Sequence, residues 1–221
     1  MTRFIFGLLA LICAATSAGA GAWQRPEGQG FASATARLSW PQEFRRYGEL
    51  TPSGQYYTLY LEYGLTGRLT AGLDLGRAVS GAAKTVGFVQ WPLRDRDSGL
   101  KVAGAFGLGQ IDGHAVMRPG LSLGLGLARG WLTADSFAEV RLGTYETDFK
   151  IDLTWGRNLA SDRKLILQVQ TGAPHDAEAF VRLAPSMVFP LRDRVMFEAG
   201  GALGLVGDDS FGILLGVWTE F

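Results

Sequence analysis

Short segments in which apolar and polar residues alternate recur along the chain from residue 30 to the C-terminus. In Phe211 to Phe221, the odd positions carry Phe, Ile, Leu, Val, Thr and Phe. In Arg68 to Gly76, the odd positions are all apolar, whereas Arg68, Thr70 and Asp74 occupy the opposite face. This period of two predicts β-strands with one apolar face, because successive side chains of a strand point to opposite sides.

The alternation predicts about twelve strands, each close to the length at which a tilted strand crosses a bilayer. Proline falls almost only at the predicted strand ends, and Pro185 is the exception. The predicted strands are Gly30 to Trp40, Gln55 to Tyr63, Arg68 to Gly76, Thr85 to Trp91, Leu100 to Gly109, Gly120 to Ala128, Phe137 to Gly143, Phe149 to Gly156, Leu165 to Thr171, Val181 to Phe189, Val195 to Leu203 and Phe211 to Phe221.

The connectors separate a membrane barrel from a soluble β-sandwich, which would show the same alternation. Short turns are expected at one end, such as Gly64 to Gly67 and Pro190 to Arg194, and longer loops at the other, such as Gln42 to Gly54 and Gln110 to Pro119. This arrangement favours an all-β fold, a transmembrane antiparallel up-and-down β-barrel of about twelve strands, with ten as the alternative count. The barrel domain is expected over residues 21–221.

Aromatic residues precede the presumed periplasmic turns and predict a girdle at one membrane interface. A weak internal repeat marks two of these turns, since Trp91 to Arg96 and Phe189 to Arg194 share the sequence Pro-Leu-Arg-Asp-Arg after an aromatic residue. We interpret the repeat as one hairpin solution used twice. The girdle residues are Tyr63, Trp91, Trp155 and Phe189, with Trp131 and Trp218 expected at the same level.

The polar faces of the strands are expected to line the lumen of the barrel. Their charges nearly cancel, which leaves two interpretations: a structural core of paired charges, or a narrow path that selects a small solute. About twelve strands enclose less space than the 16 to 18 strands of open porins. The predicted lumen-lining charged residues are Glu62, Asp74, Lys101, Glu139, Arg141, Lys150, Asp152, Arg182 and Glu198.

The N-terminus carries the features of a secretory signal peptide. A short basic region with Arg3 precedes the apolar stretch Phe4 to Ala15, and small residues follow at Ala18 to Ala20. The signal peptide is expected to span residues 1–20, with cleavage at residue 22 as the alternative. The only cysteine, Cys13, lies inside this segment, so disulfides and cysteine catalysis are not expected in the mature chain.

Composition excludes some classes of partner and cofactor. Lys plus Arg and Asp plus Glu are equal at 21 residues each, so no basic surface suggests nucleic acid. No metal-ligating, cofactor-binding or catalytic motif is recognised. For a Ser-His-acid site, only His114 and His175 are available as bases. The candidate serines, chosen because they lie at predicted strand ends, are Ser80, Ser136 and Ser210. An outer-membrane lipid-modifying enzyme therefore stays the less favoured alternative.

Two segments resemble known membrane proteins. The terminal strand ending in Phe221 resembles the C-terminal signature of bacterial outer-membrane barrels, in which a terminal Phe is read by the assembly machinery. The hairpin Glu62 to Thr70 resembles proteobacterial outer-membrane proteins labelled as transporters, including the family named after the meta pathway of phenol degradation. Gly21-Ala22-Trp23 followed by Gly28 and Gly30 is similar to the start of that group.

The resemblance implies an exported barrel in the outer membrane of a Gram-negative bacterium. Its partners would be outer-membrane lipid, lipopolysaccharide and, through Phe221, the barrel-assembly machinery. Together with the polar strand faces, it implies a narrow passive channel for an unidentified small solute. A plugged barrel with a structural or surface-interaction role is the alternative.

Overall fold

Twelve antiparallel strands form one closed barrel in the computed structural model of the protein, which describes residues 21–43, 50–95 and 99–221. The predicted signal peptide, residues 1–20, lies outside these residues. Each strand pairs with its neighbours in the chain, and β1 pairs with β12 to close the sheet. Closure gives every strand a partner on both sides, which removes the open hydrogen bonds of a sheet edge.

The strands are 10 to 14 residues long. Their bounds agree with the predicted segments within about three residues, except that β6 begins at His114 rather than Gly120 and β7 at Gly130 rather than Phe137. They are β1 (Gly30–Pro41), β2 (Gly54–Thr66), β3 (Leu69–Ala78), β4 (Ala83–Arg94), β5 (Leu100–Ile111), β6 (His114–Leu127), β7 (Gly130–Arg141), β8 (Thr147–Asn158), β9 (Lys164–Ala173), β10 (Phe180–Arg192), β11 (Val195–Val206) and β12 (Ser210–Glu220). No stretch of the described residues is a helix long and apolar enough to cross a membrane. The all-β barrel and the count of twelve are confirmed.

The connector between β5 and β6 is much shorter than the sequence predicts. The predicted loop Gln110 to Pro119 is instead a tight turn at Asp112 and Gly113, and strand residues flank it on both sides. Asp112 and Gly113 have φ values of 50° and 81°, as the two central residues of a type I′ hairpin turn require. Two residues suffice here, so Pro119 lies inside β6 rather than at its end.

Proline within these strands coincides with gaps in one of the two ladders. Pro119 pairs with Phe106 of β5, but the described pairing of β6 with β7 passes from Met117 to Gly120. Pro185 likewise pairs with Leu167 of β9, while the ladder to β11 passes from Leu183 to Ser186. Proline has no N–H to donate, so it is tolerated where one neighbouring ladder is already interrupted.

The two ends of the barrel differ in their connectors. One end, called here the turn end, carries connector residues 67–68, 95, 99, 128–129, 159–163 and 193–194, together with residues 21–29 and Phe221. The other end, called the loop end, carries connector residues 42–43, 50–53, 79–82, 112–113, 142–146, 174–179 and 207–209. The turn end is the one that the sequence analysis assigned to the periplasm.

The internal repeat has a common structural basis. The β4–β5 ladder shifts register between Pro92 and Arg94, and the β10–β11 ladder shifts between Pro190 and Arg192. Both shifts follow the same proline of the repeated sequence. The two copies therefore share a bulge at the turn end; residue 96 of the first copy lies outside the described residues.

The four predicted girdle residues lie on the outward face near the turn end. Tyr63 and Trp91 are exposed, and strand register places Trp155 beside Leu132 and Leu167, and Phe189 beside Phe197, on the same outward side.

Trp131 and Trp218 also lie near the turn end, but they do not belong to the outward girdle that the sequence predicts, because both side chains point inward. Trp131 is only 4% exposed and packs with Ile166 and Val188, and Trp218 donates to Glu198. The physical reason is strand parity, since Trp131 pairs with Gly126 and Gly156, residues of the inward face.

Candidate functional site: the interior of the barrel

The inward face is identified by contacts that bypass intervening strands. Asp74 on β3 accepts a hydrogen bond from Arg118 on β6, at 2.6 Å, although β4 and β5 lie between them in the sheet. Such a contact can pass only through the interior. All nine predicted lumen-lining residues have the strand parity of this face, and Glu62, Glu139 and Glu198 are buried.

One wall of the interior carries a chain of alternating charges, called here the charge belt. It comprises Lys84, Asp74, Arg118, Glu139 and Lys150. Asp74 lies 2.8 Å from Lys84 and 2.6 Å from Arg118, and Glu139 lies 2.8 Å from Lys150 and 3.8 Å from Arg118. The belt thus contains three cations and two carboxylates, which leaves one net positive charge.

Two aromatic rings hold the central cation of the belt. The Arg118 guanidinium lies 5.0 Å from the ring centroid of Phe137 and 5.9 Å from that of Phe88. A guanidinium over an aromatic face gains cation–π attraction. Arg118 is therefore fixed in position and bridges two carboxylates from different strands.

Lys84 and Arg118 were not among the predicted lumen-lining residues, because both lay outside the predicted strands. Lys84 fell between the predicted strands Arg68 to Gly76 and Thr85 to Trp91, and Arg118 lay in the predicted loop Gln110 to Pro119. The hairpin turn Asp112-Gly113 was the signal that could have corrected the second error, since Asp-Gly between strands is a strong indicator of a tight turn.

The opposite wall holds Arg37 on β1, Arg182 on β10 and Glu198 on β11, whereas Asp152 lies on β8 beside Lys150 of the charge belt. Glu198 accepts hydrogen bonds from Ser186, at 2.6 Å, and from the indole of Trp218, at 3.0 Å. Arg182 donates to Asp208 of the 207–209 connector at 2.7 Å. Glu198 and Arg182 are therefore held by neighbouring side chains.

Asp208 closes this wall at the loop end. Burial raises the pKa of Asp208, but hydrogen bonds from Ser210 and Arg182 outweigh that effect, so its pKa lies below the ordinary value. Asp208 is therefore charged at neutral pH and holds the Arg182 side chain.

An apolar cluster fills part of the interior near the turn end. Trp131, Ile166 and Val188 are buried together, and Trp23, Met196 and Trp218 pack against them. These residues come from β7, β9, β10, β11, β12 and the chain before β1. The interior is thus polar through its middle and apolar on one side of the turn end.

Residues 21–29, called here the N-terminal segment, run across the interior at the turn end. The Arg25 side chain forms an ion pair with Glu62 at 2.6 Å, and the two side chains are 9% and 3% exposed. The backbone N–H of Arg25 donates to Thr70 Oγ1 at 3.1 Å. Ala22 and Trp23 meet the other side of the barrel, where a Cβ atom on Gly124 would contact both.

Sequence reasoning placed Glu62 and Thr70 on the polar faces but did not find their partner. The N-terminal segment has no alternation of its own, so no periodic signal pointed to Arg25. Its position depends on contacts with β2, β3 and β6, which are distant in sequence.

The loop end brings three charged groups within 3.4 Å of the His175 imidazole. Its Nδ1 atom lies 3.0 Å from Asp148 Oδ1, its Nε2 atom 3.4 Å from Glu146 Oε2, and the Arg141 guanidinium 3.2 Å from Nε2. Through the described parts of the chain, no serine hydrogen-bonds to this imidazole. Ser136 points outward and donates to the Leu121 carbonyl, and Ser210 donates to Asp208.

The other predicted residues lie apart from this group. Lys101 pairs with Asp95 near the turn end, and His114 begins β6 beside the hairpin turn. Over residues 21–43, 50–95 and 99–221, no three His, Cys, Asp or Glu side chains are grouped to hold a metal ion. The concentrated chemistry of the molecule is therefore the charged interior.

Several solved outer-membrane proteins share this architecture. The KdgM porin, solved in complex with disordered oligogalacturonate, has a TM-score of 0.63 and 8% identity, over 86% of this chain and 99% of that one. The NanC porin has a TM-score of 0.67 and 8% identity, over 85% and 98%. The COG4313 outer membrane channel from Pseudomonas putida F1 has a TM-score of 0.60 and 9% identity, over 89% and 97%.

Outer membrane phospholipase A from Escherichia coli is similar at a TM-score of 0.50 and 11% identity, over 90% of this chain and 95% of that one. No protein-family model and no curated protein matches the sequence. At these identities the likeness shows the fold alone, a closed antiparallel β-barrel.

Proposed function

We propose that the protein is a narrow passive channel for small solutes in the outer membrane. The charge belt carries this proposal, because it presents fixed charges of both signs to the interior rather than an apolar core. The similar barrels of KdgM, NanC and the COG4313 channel, a porin or channel by name in each case, support it. The interior residues Glu62, Asp74, Lys101, Glu139, Arg141, Lys150, Asp152, Arg182 and Glu198 would set the solute preference.

Passive conduction agrees with the way these charges are held. Asp74, Arg118 and Glu139 are fixed by partners on separate strands, so the interior walls are rigid. A solute that replaces part of such a network must supply compensating polar groups. The arrangement therefore favours small polar or charged solutes over apolar ones.

Location and assembly form part of the same proposal. The predicted signal peptide, the exposed apolar residues of the outward face and the terminal Phe221 support export, insertion and contact with lipid and lipopolysaccharide. The resemblance of Glu62 to Thr70 to the meta-pathway group supports membership of a transporter family. The His175 cluster has no serine hydrogen-bonded to it among the described residues, so we do not extend the proposal to lipid hydrolysis.

Single-channel recording in planar bilayers tests the channel directly. Purified, refolded protein should give discrete conductance steps. Glu139→Ala should shift ion selectivity toward anions and Arg182→Ala toward cations, because each substitution removes one sign of charge from the interior.

The matched control is Arg157→Ala, which removes an exposed charge from the outward face of β8. It should leave selectivity unchanged. Absence of conductance steps from correctly folded wild-type protein would contradict the proposal and favour a structural or surface-interaction barrel.

A further inference from the structure

The start of the N-terminal segment lies against two polar side chains of the inward face. A Cβ atom built on Gly21 would be 2.6 Å from Ser122 Oγ and 2.8 Å from Asp135 Oδ1. Both oxygens therefore lie beside the Cα atom of Gly21. The backbone nitrogen of Gly21 is bonded to the same Cα atom, so rotation about the Cα–C bond turns this nitrogen toward the two oxygens.

Asp135 has a carboxylate oxygen without a donor. Its Oδ1 atom is buried, and none of the described residues donates a hydrogen bond to it. Leaving a buried acceptor unsatisfied costs the full desolvation of that group. Asp152 lies directly opposite Asp135 in the β7–β8 ladder, and two like charges so placed repel each other. The position lacks a cationic donor.

We propose that Asp135 and Ser122 form a binding site for the α-ammonium group of Gly21 in the processed chain. Removal of the predicted signal peptide after Ala20 creates that group. An ammonium offers several N–H donors and a positive charge, whereas the amide of an unprocessed chain offers one uncharged donor. Processing thereby locks the N-terminal segment across the turn end of the barrel.

Two further contacts hold the same segment, and the arrangement requires cleavage after Ala20 rather than after Ala22. Ala22 is 4% exposed. Its Cβ atom packs so closely on Gly124 that a Cβ atom added there would lie only 2.6 Å away. Arg25 then reaches Glu62 on the other side of the interior. Cleavage after Ala22 would remove both Gly21 and this buried alanine.

The mass of the intact protein from outer membranes identifies the N-terminus. A chain that begins at Gly21 is expected, and a chain that begins at Trp23 would overturn the proposal. The folded protein is then treated with acetic anhydride, and acetylation of the N-terminal peptide is followed by mass spectrometry. A charge-assisted, buried hydrogen bond should slow acetylation about tenfold or more relative to the unfolded chain.

Asp135→Asn should restore most of the lost reactivity, and Ser122→Ala should restore part of it. Asp148→Asn is the matched control, because it makes the same change on an inward face at the loop end and should leave the rate slow. If Asp135→Asn does not fold, refolded wild-type protein with one additional N-terminal residue provides the same test, since its ammonium is displaced from the site.

Rapid acetylation of the folded wild-type amine, or equal rates for wild type and both Asp135→Asn and Ser122→Ala, would overturn the proposal. These measurements do not depend on whether the barrel conducts ions or solutes. Their failure is therefore distinct from failure of the proposed channel function.

Discussion

At the scale of single residues, the contribution of an interior ion pair to stability depends on how deeply the pair is buried. The Arg25–Glu62 pair is nearly inaccessible to solvent, and Tyr60 also donates to Glu62, at 2.6 Å. The Arg141–Glu146 pair at the loop end is partly exposed. Exposed pairs contribute little to stability, whereas loss of one partner of a buried pair leaves an uncompensated charge.

We expect Glu62→Ala to lower the free energy of unfolding by about 3–5 kcal/mol, because the Arg25 guanidinium stays buried without its carboxylate. Urea unfolding in lipid vesicles measures the change. Glu27→Ala, an exposed position of the same N-terminal region, should stay within about 0.5 kcal/mol of wild type. Equal effects of the two substitutions would mean that the N-terminal segment is not seated inside the barrel.

The opposite faces of one strand should also respond differently to the same substitution. Leu59→Arg in the middle of β2 places a charge on the exposed outward face and should cost about 2–4 kcal/mol in a bilayer. Its neighbour Thr58 faces inward beside Thr35 and Gly76, so Thr58→Arg should cost less. The comparison uses unfolding in vesicles, and a larger cost for Thr58→Arg would reverse the assignment of faces.

At the scale of elements, β12 joins the two ends of the sheet. Its neighbours are β11 and β1, and the backbone of Phe221 exchanges hydrogen bonds with Gly30, at 2.7 and 3.0 Å. A Cβ atom on Gly30 would lie 2.3 Å from the Phe221 ring, so the absence of a side chain there makes room for the aromatic ring. The terminal residue therefore completes the seam, the line along which β12 pairs with β1 and closes the barrel.

Deletion of Phe221 should slow assembly and increase the fraction of protease-sensitive chain in the periplasm, because the seam loses both backbone hydrogen bonds and the ring. Heat-modifiable mobility on gels, which reports the folded barrel, measures the outcome. Phe211→Leu, at the other end of β12, is the control and should assemble normally. Wild-type levels of folded barrel after the deletion would exclude Phe221 as an assembly signal.

At the scale of the whole molecule, the barrel combines a polar middle with a covered turn end. The charge belt lies between strands β3 and β8, while the N-terminal segment and the Trp131 cluster occupy the interior near the turns. Any solute that crosses the molecule must pass both regions. The narrow part of the path is therefore expected at the turn end.

Removal of residues 21–28 in a Glu62→Gln background should increase single-channel conductance, because the N-terminal segment then no longer crosses the turn end. The neutral Gln avoids a buried carboxylate without its Arg25 partner. Glu62→Gln with the full segment is the control, and it should keep a conductance closer to wild type. Unchanged conductance after the deletion would show that the N-terminal segment does not limit passage.

The sequence by itself determined the fold class, a count of about twelve strands, and the inward and outward faces within the alternating segments. Alternation is a local property, since each side chain's face depends only on its position along its own strand. That is why all nine predicted lumen residues share the inward parity, and why Arg68 to Gly76 could be assigned from its own residues. The error at Gln110 to Pro119 was also local, since the Asp112-Gly113 pair marks a two-residue turn between strands.

Only the tertiary structure decided which charges meet and what covers the turn end. Asp74 and Arg118 are separated by two strands, and Arg25 reaches Glu62 across 37 positions of sequence. The pairing of such residues depends on the curvature of the closed sheet, which brings non-adjacent strands together across the interior. The place of Gly21 beside Asp135 has the same origin: a segment without periodicity takes its position from the walls that surround it.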